Sequence, residues 1–183
     1  MPRSDDIYKL PKDLPIPKDD GRASHLTEGY PLPDVNLNGV NLSKLEGINV
    51  IFIYPRTGSP MLEPPEGWNK IAGARGCTPQ NANFNNHYEE FCQSRVNLYG
   101  LSSQDKEYQD ELKTRLGLKF DLISDPELKL KDIMNLPTFK VGEMELYSRL
   151  TIVAEDGKIK KTFYPVFPPD KNAEEVLEFI RSL

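Results

Sequence analysis

Asn49-Val50-Ile51-Phe52-Ile53-Tyr54 is an unbroken, β-rich apolar run. A strand with one wet face alternates apolar and polar residues, whereas a run without alternation suits a central strand covered on both faces. The stretches that follow supply the cover. Thr78 to about Val96 carries Phe84, Tyr88 and Phe91 at helical spacings with no Gly or Pro beyond its first turn, which predicts one helix. Asn97 to Ser102 reads as a strand. Glu107 to Leu116 reads as a helix stopped by Gly117. Phe120 to Ser124 is a further strand ending at the Asp125-Pro126 turn signal. Leu150 to Ala154 and Lys158 to Phe163 flank Glu155-Asp156-Gly157, a hairpin pattern. Asn172 to Leu183 closes with an amphipathic helix carrying Val176, Leu177 and Ile180 on one face. Strands alternating with helices, then a hairpin and a terminal helix, predict an α/β, thioredoxin-like fold: a central mixed sheet flanked by helices.

Before the central strand the pattern changes. Pro11, Pro15, Pro17 and Pro31 stand among charged residues, and each proline fixes φ and removes a donor. Residues 1–31 are therefore expected as an extended arm and 32–183 as one domain. With 183 residues and 38% hydrophobic composition the chain suffices for a single core. A net charge of −5 argues against nucleic-acid or anionic-membrane partners, which favour clustered Lys and Arg. The start Met1-Pro2-Arg3-Ser4 has no apolar leader and no run approaches the roughly 20 residues that span a bilayer. The expected location is the cytoplasm.

Two cysteines, Cys77 and Cys92, are too few for a disulfide framework, so each is judged as a reactive thiol. His25 and His87 show no zinc-ligand spacing, and neither a metal nor a cofactor is expected. Cys77 falls at the mouth of the 78–96 helix, where free N–H groups and the positive dipole end favour an anion and so a thiolate. A helix terminus supplies only about 0.3–2 kcal/mol. A further donor or cation must add to it: the sequence offers Arg75, two residues earlier, and Arg149 at the start of a core strand if the fold brings it close.

Three motifs in order carry a family resemblance. Tyr54-Pro55-Arg56-Thr57-Gly58-Ser59-Pro60 resembles the Pro-x-x-x-Thr/Ser signature of peroxiredoxins. Gly76-Cys77-Thr78-Pro79-Gln80 resembles the Gly-Cys-Thr segment of the peroxiredoxin Q, or bacterioferritin-comigratory, branch of the AhpC/TSA superfamily. Ser148-Arg149-Leu150-Thr151-Ile152-Val153 with Asp156-Gly157-Lys158-Ile159 resembles the Arg-bearing strand and its hairpin. The likeness runs from about Leu32 to the C-terminus and departs twice. Met61 to Arg75 separate Ser59-Pro60 from Gly76-Cys77, so a long surface loop is required, either shaping access or inert. The position of the branch's resolving cysteine, five after the reactive one, is Ala82.

The resemblance implies a thiol-dependent peroxidase that reduces hydrogen peroxide or organic hydroperoxides through a sulfenic acid on Cys77. Pro55 would shield the sulfur, Ser59 (or Thr57) hydrogen-bond it and the peroxide, and Arg149, oriented by Gln80, stabilise the charge. A peroxide-sensing regulatory or binding module without efficient turnover is the alternative. On one continuous helix the 15 residues between Cys77 and Cys92 span roughly 22 Å at about 1.5 Å per residue, whereas a disulfide needs Cα atoms within about 7 Å. Cys92 is therefore expected to be a buried structural thiol. The reductant is then external, whether thioredoxin, glutaredoxin or a small thiol, acting on a monomer or homodimer.

Overall fold

The computed structural model describes residue 3 and residues 5–183; Met1, Pro2 and Ser4 of the expected arm lie outside the described residues. In chain order the elements are β1 (Asn36–Leu37), β2 (Val40–Asn41), β3 (Ile48–Ile53), α1 (Cys77–Asn86), α2 (Tyr88–Gln93), β4 (Val96–Ser102), α3 (Lys106–Leu116), β5 (Asp121–Ser124), α4 (Lys129–Met134), β6 (Thr138–Val141), β7 (Met144–Tyr147), β8 (Leu150–Glu155), β9 (Lys158–Phe163) and α5 (Asn172–Arg181).

The main sheet runs β5-β4-β3-β8-β9, with β3 in its centre, parallel to β4 and antiparallel to β8. Because successive side chains of a strand point to opposite faces, the apolar run of β3 divides between two cores. Val50, Phe52 and Tyr54 join Cys77, Phe84, Phe91 and the buried face of α5. Ile51 and Ile53 join Leu101, Ile123, Leu130 and Met134 on the other side. The sheet is thus a thioredoxin-like mixed sheet covered on both faces. At the β8–β9 turn Asp156 (φ 49°) and Gly157 (φ 81°) are both left-handed, as a two-residue hairpin turn demands. A Cβ on Gly157 would stand 2.7 Å from the Ser43 carbonyl oxygen, so only glycine fits.

Two expectations fail here. The 78–96 helix is two helices, broken at His87 (φ −101°, ψ 7°). No Gly or Pro marks the break. Asn83, Asn85 and Asn86 precede it, and asparagine is a weak helix former; the His87 imidazole is tied by Nδ1 to Glu90 (2.6 Å) and by Nε2 to Glu174 of α5 (3.1 Å). Cys92, one residue beyond the buried Phe91, is exposed. In a one-sided helix the residue next to a core position turns about 100° away, which is what α2 does with it.

From residue 5 to residue 30 the arm forms no helix or strand and is anchored on the domain. Ile7, Ala23 and Leu26 are buried. The Gly29 amide donates to the Ile159 carbonyl (2.8 Å) and the Leu32 amide to the Gly157 carbonyl (2.8 Å), covering the outer edge of β9, an edge that would otherwise be open to pairing with another chain. The 61–75 segment is likewise fastened: Trp68 is buried against Ala74, Val141 and Leu146. Among the described residues no helix is long and apolar enough to cross a membrane.

Candidate active site

Cys77 is the first residue of α1, and its approach is set by Gly76 at φ 116°. A Cβ there would meet Pro169 at 2.4 Å and Leu10 at 2.9 Å, so glycine is required by both conformation and space. Pro79 lies in the first turn, where its missing N–H breaks no helical bond. The Cys77 side chain is 2% exposed, and its thiol points to the Ala74 carbonyl at 3.6 Å.

Arg149, just before β8, delivers its guanidinium to the same point from across the sheet. Nη2 lies 3.3 Å from Cys77 Sγ and also donates to the carbonyls of Gly73 (3.2 Å), Ala74 (2.9 Å) and Arg75 (3.3 Å). Nη1 donates to Gln80 Oε1. Gln80 is held in turn, its Nε2 donating to Asn172 Oδ1 (3.1 Å), which also accepts from the Thr151 hydroxyl (2.7 Å). Every hydrogen-bonding partner of this buried cation is neutral in the thiol form. An anion on sulfur at that distance would gain about 5 kcal/mol at an effective dielectric of about 20, more than the about 0.3–2 kcal/mol of the helix terminus. The arginine dominates the electrostatics of the site.

Pro55 is buried two residues beyond the end of β3. The two hydroxyls expected near the sulfur are engaged elsewhere. Ser59 Oγ accepts from the Met61 amide (3.2 Å) and lines a shallow recess with Arg3, Arg56 and Trp68. Thr57 is buried and tied to Gln104, which accepts from its amide (3.0 Å) and hydroxyl (3.2 Å). The inserted segment accounts for this: with Met61 to Arg75 between them, Ser59 and Cys77 no longer share one tight loop. Arg75, the nearer cation in sequence, turns away, donating to Asp5 (3.0 Å), Asn69 (3.0 Å) and the Asp6 carbonyl (2.9 Å). Sequence reasoning missed three neighbours. Asn172 and Thr151 support Gln80, and Asn81 of α1 donates to the Cys77 carbonyl (2.9 Å); nothing in local spacing marks the first two.

A cavity of about 210 Å³ opens beside the arginine. Its walls are Pro17 and Lys18 of the arm, Ile71, Ala72 and Gly73 of the inserted segment, and Phe139, Arg149, Tyr164 and Val166. Cys77 does not line it; Arg149 stands between the cavity and the sulfur.

A thioredoxin-like sheet carrying a buried cysteine at a helix start, with an arginine from the neighbouring strand on its sulfur, defines a class of thiol redox domain. The chain belongs to the Redoxin family, whose profile it matches over residues 15–177. Its relatives fall in the peroxiredoxin Q branch. It is 27% identical over 156 residues to the chloroplastic peroxiredoxin Q of Suaeda salsa, covering 84% of this chain and 65% of that one. It is also 27% identical over 159 residues to a putative peroxiredoxin of Mycobacterium tuberculosis, covering 79% and 89%. The chain spans about two-thirds or slightly less of the length of the plant relatives. Among solved structures it resembles peroxidoxin BcpB of Mycobacterium tuberculosis (TM-score 0.68, 20% identity, 87% of this chain and 99% of that one). A PrxQ mutant of Xylella fastidiosa is equally similar (TM-score 0.68, 20% identity, 86% and 97%).

Proposed function

We propose that the chain is a thiol-dependent peroxidase with Cys77 as its nucleophile. The observation that carries this reading is the Arg149 guanidinium 3.3 Å from Cys77 Sγ, buried and without a carboxylate among its hydrogen-bond partners. The sulfur anion attacks the distal oxygen of a hydroperoxide. An S–O bond forms as the O–O bond breaks, sulfur loses two electrons, and the departing alkoxide or hydroxide takes up a proton to leave as alcohol or water. Arg149 stabilises the anion first on sulfur and then on the leaving oxygen. Pro55 shields the sulfur from water.

Regeneration is by an external thiol. Cys77 and Cys92 sit on separate helices whose cores, Phe84 and Phe91, are fully buried with ring centroids 5.8 Å apart. Bringing the two sulfurs together dismantles that packing, at a cost of several kcal/mol at about 25 cal/mol per Å². An incoming thiol instead attacks the sulfenic sulfur and expels water, and a second thiol releases Cys77 from the mixed disulfide.

The test is mass spectrometry after one equivalent of hydrogen peroxide, with and without a dimedone trap. The expected product is a trapped sulfenic acid on Cys77, absent in Cys77→Ser, together with multiple turnovers when thiol is supplied. Undiminished peroxide consumption by Cys77→Ser refutes the assignment. A Cys77–Cys92 disulfide with no trappable intermediate refutes the regeneration scheme alone.

A further inference from the structure

A side-chain amide has nearly the same shape either way round, but one end only accepts hydrogen bonds and the other only donates them. Gln80 of α1 is fully buried, and the end it turns to Arg149 matters to the site. Its Oε1 accepts from Arg149 Nη1. Turned over, the amide would set its NH2 group against the guanidinium, donor against donor, and that grip on the arginine would be lost.

The choice is made at the far end of the amide. There Gln80 Nε2 donates to Oδ1 of Asn172, the first residue of α5 (3.1 Å), and the same oxygen accepts from the Thr151 hydroxyl of β8 (2.7 Å). Thr151 stands two residues after Arg149, so both side chains leave on one face of the sheet. Gln80, Asn172 and Thr151 are all fully buried, and polar groups so placed are costly unless they satisfy one another. Hydrogen bonds in series also polarise one another. The guanidinium draws on the Gln80 oxygen and makes its NH2 a better donor, which Asn172 Oδ1 receives. Fastening α5 to α1 does not by itself require this arrangement. Asn83, three residues further along α1, already ties the first turn of α5: its Oδ1 accepts from the Ala173 amide (2.8 Å) and its Nδ2 donates to Glu174 Oε2 (3.0 Å).

We propose that Asn172 and Thr151 are positioning residues for the reaction at Cys77: the Asn172 oxygen, held by Thr151, fixes the Gln80 amide with Oε1 toward Arg149 Nη1, which keeps Nη2 directed at Cys77 Sγ (3.3 Å). They act on the sulfur only through Gln80 and Arg149. All three side chains of the relay are neutral, so the arginine is oriented without its charge being matched. This deepens the peroxidase reading above and rests on it.

The test compares Asn172→Ala with Asn83→Ala, which cuts the other tie between α1 and α5. In Asn172→Ala the pH of half-maximal alkylation of Cys77 by iodoacetamide rises by about half a unit or more, and the rate constant with hydrogen peroxide at neutral pH falls about 3- to 10-fold. Asn83→Ala lowers the melting temperature and leaves both readings at the parent values. In a Gln80→Ala background, adding Asn172→Ala changes neither reading further, because the two residues act as one unit. Should Asn172→Ala not fold, Thr151→Val, which keeps the shape and loses the hydroxyl, shows the same shift at smaller size, and Thr151→Ser restores the parent values. Equal shifts in Asn172→Ala and Asn83→Ala, additive losses in the double variant, or a Thr151→Val protein indistinguishable from the parent overturn the proposal. Alkylation involves no peroxide. A protein series that shows the alkylation shifts while the parent consumes no peroxide refutes the peroxidase reading and leaves the relay standing, so the two failures are distinct.

Discussion

The molecule holds two buried arginines within reach of the Cys77 loop, and they are used in opposite ways. Arg75, two residues from the cysteine, faces the arm and is paired with Asp5, which Arg3 grips as well. The two arginines hold the Asp5 carboxyl below the ordinary range, Arg3 most strongly and against the effect of burial. Arg149, 72 residues away, meets only an amide, three carbonyls and the sulfur. A cation already matched by a carboxylate fastens chain to chain. A cation left unmatched by a carboxylate in a low-dielectric site keeps its field for whatever negative charge the site holds or develops.

The comparison breaks most visibly at Arg149. Arg149→Ala is expected to slow peroxide oxidation of Cys77 by 100-fold or more, about 2.7 kcal/mol or above at about 1.36 kcal/mol per tenfold, with cooperative urea unfolding retained. An unchanged second-order rate constant would show that the buried guanidinium is structural. Arg75→Ala should do the reverse. Losing charge-assisted bonds to the arm costs about 1–3 kcal/mol of stability, and limited proteolysis before residue 31 accelerates while the peroxide rate changes only a few-fold. A rate loss matching that of Arg149→Ala would mean that sequence proximity, after all, identifies the working cation.

This contrast also explains what was legible in the sequence. The strands were readable because β3 and β8 have apolar runs set by the sheet's two covered faces, and Gly117 and Asp156-Gly157 mark turns that need left-handed backbone. Cys77 and Arg149 were readable through motifs that keep their order. The break at His87 was not, because its determinant is an ion pair to α5, 87 residues further on in the chain. The β6–β7 hairpin is short and half-buried, lacks a long apolar signal, and went unread. The positions of Ser59 and Thr57 depended on how the inserted segment folds, which residue spacing does not encode.

The smallest expected effect lies at the far end of α1, where His87 plays for the helix break the role Arg75 plays for the arm. Burial lowers its proton affinity, but the hydrogen bonds it donates to Glu90 and Glu174, with their charges, outweigh burial and leave the imidazole raised. A group raised in the folded state contributes its full stability below the unfolded value of about 6.5 and loses it as pH climbs through the folded value. The pair is partly exposed, so the contribution is a few tenths of a kcal/mol. The urea midpoint of the parent should therefore fall slightly more between pH 6 and pH 8.5 than that of His87→Gln, which keeps hydrogen-bonding capacity without the charge. Parallel curves for the two proteins would show that the α1–α2 break is held by hydrogen bonding alone, and that α5 is joined to it without help from the imidazolium charge.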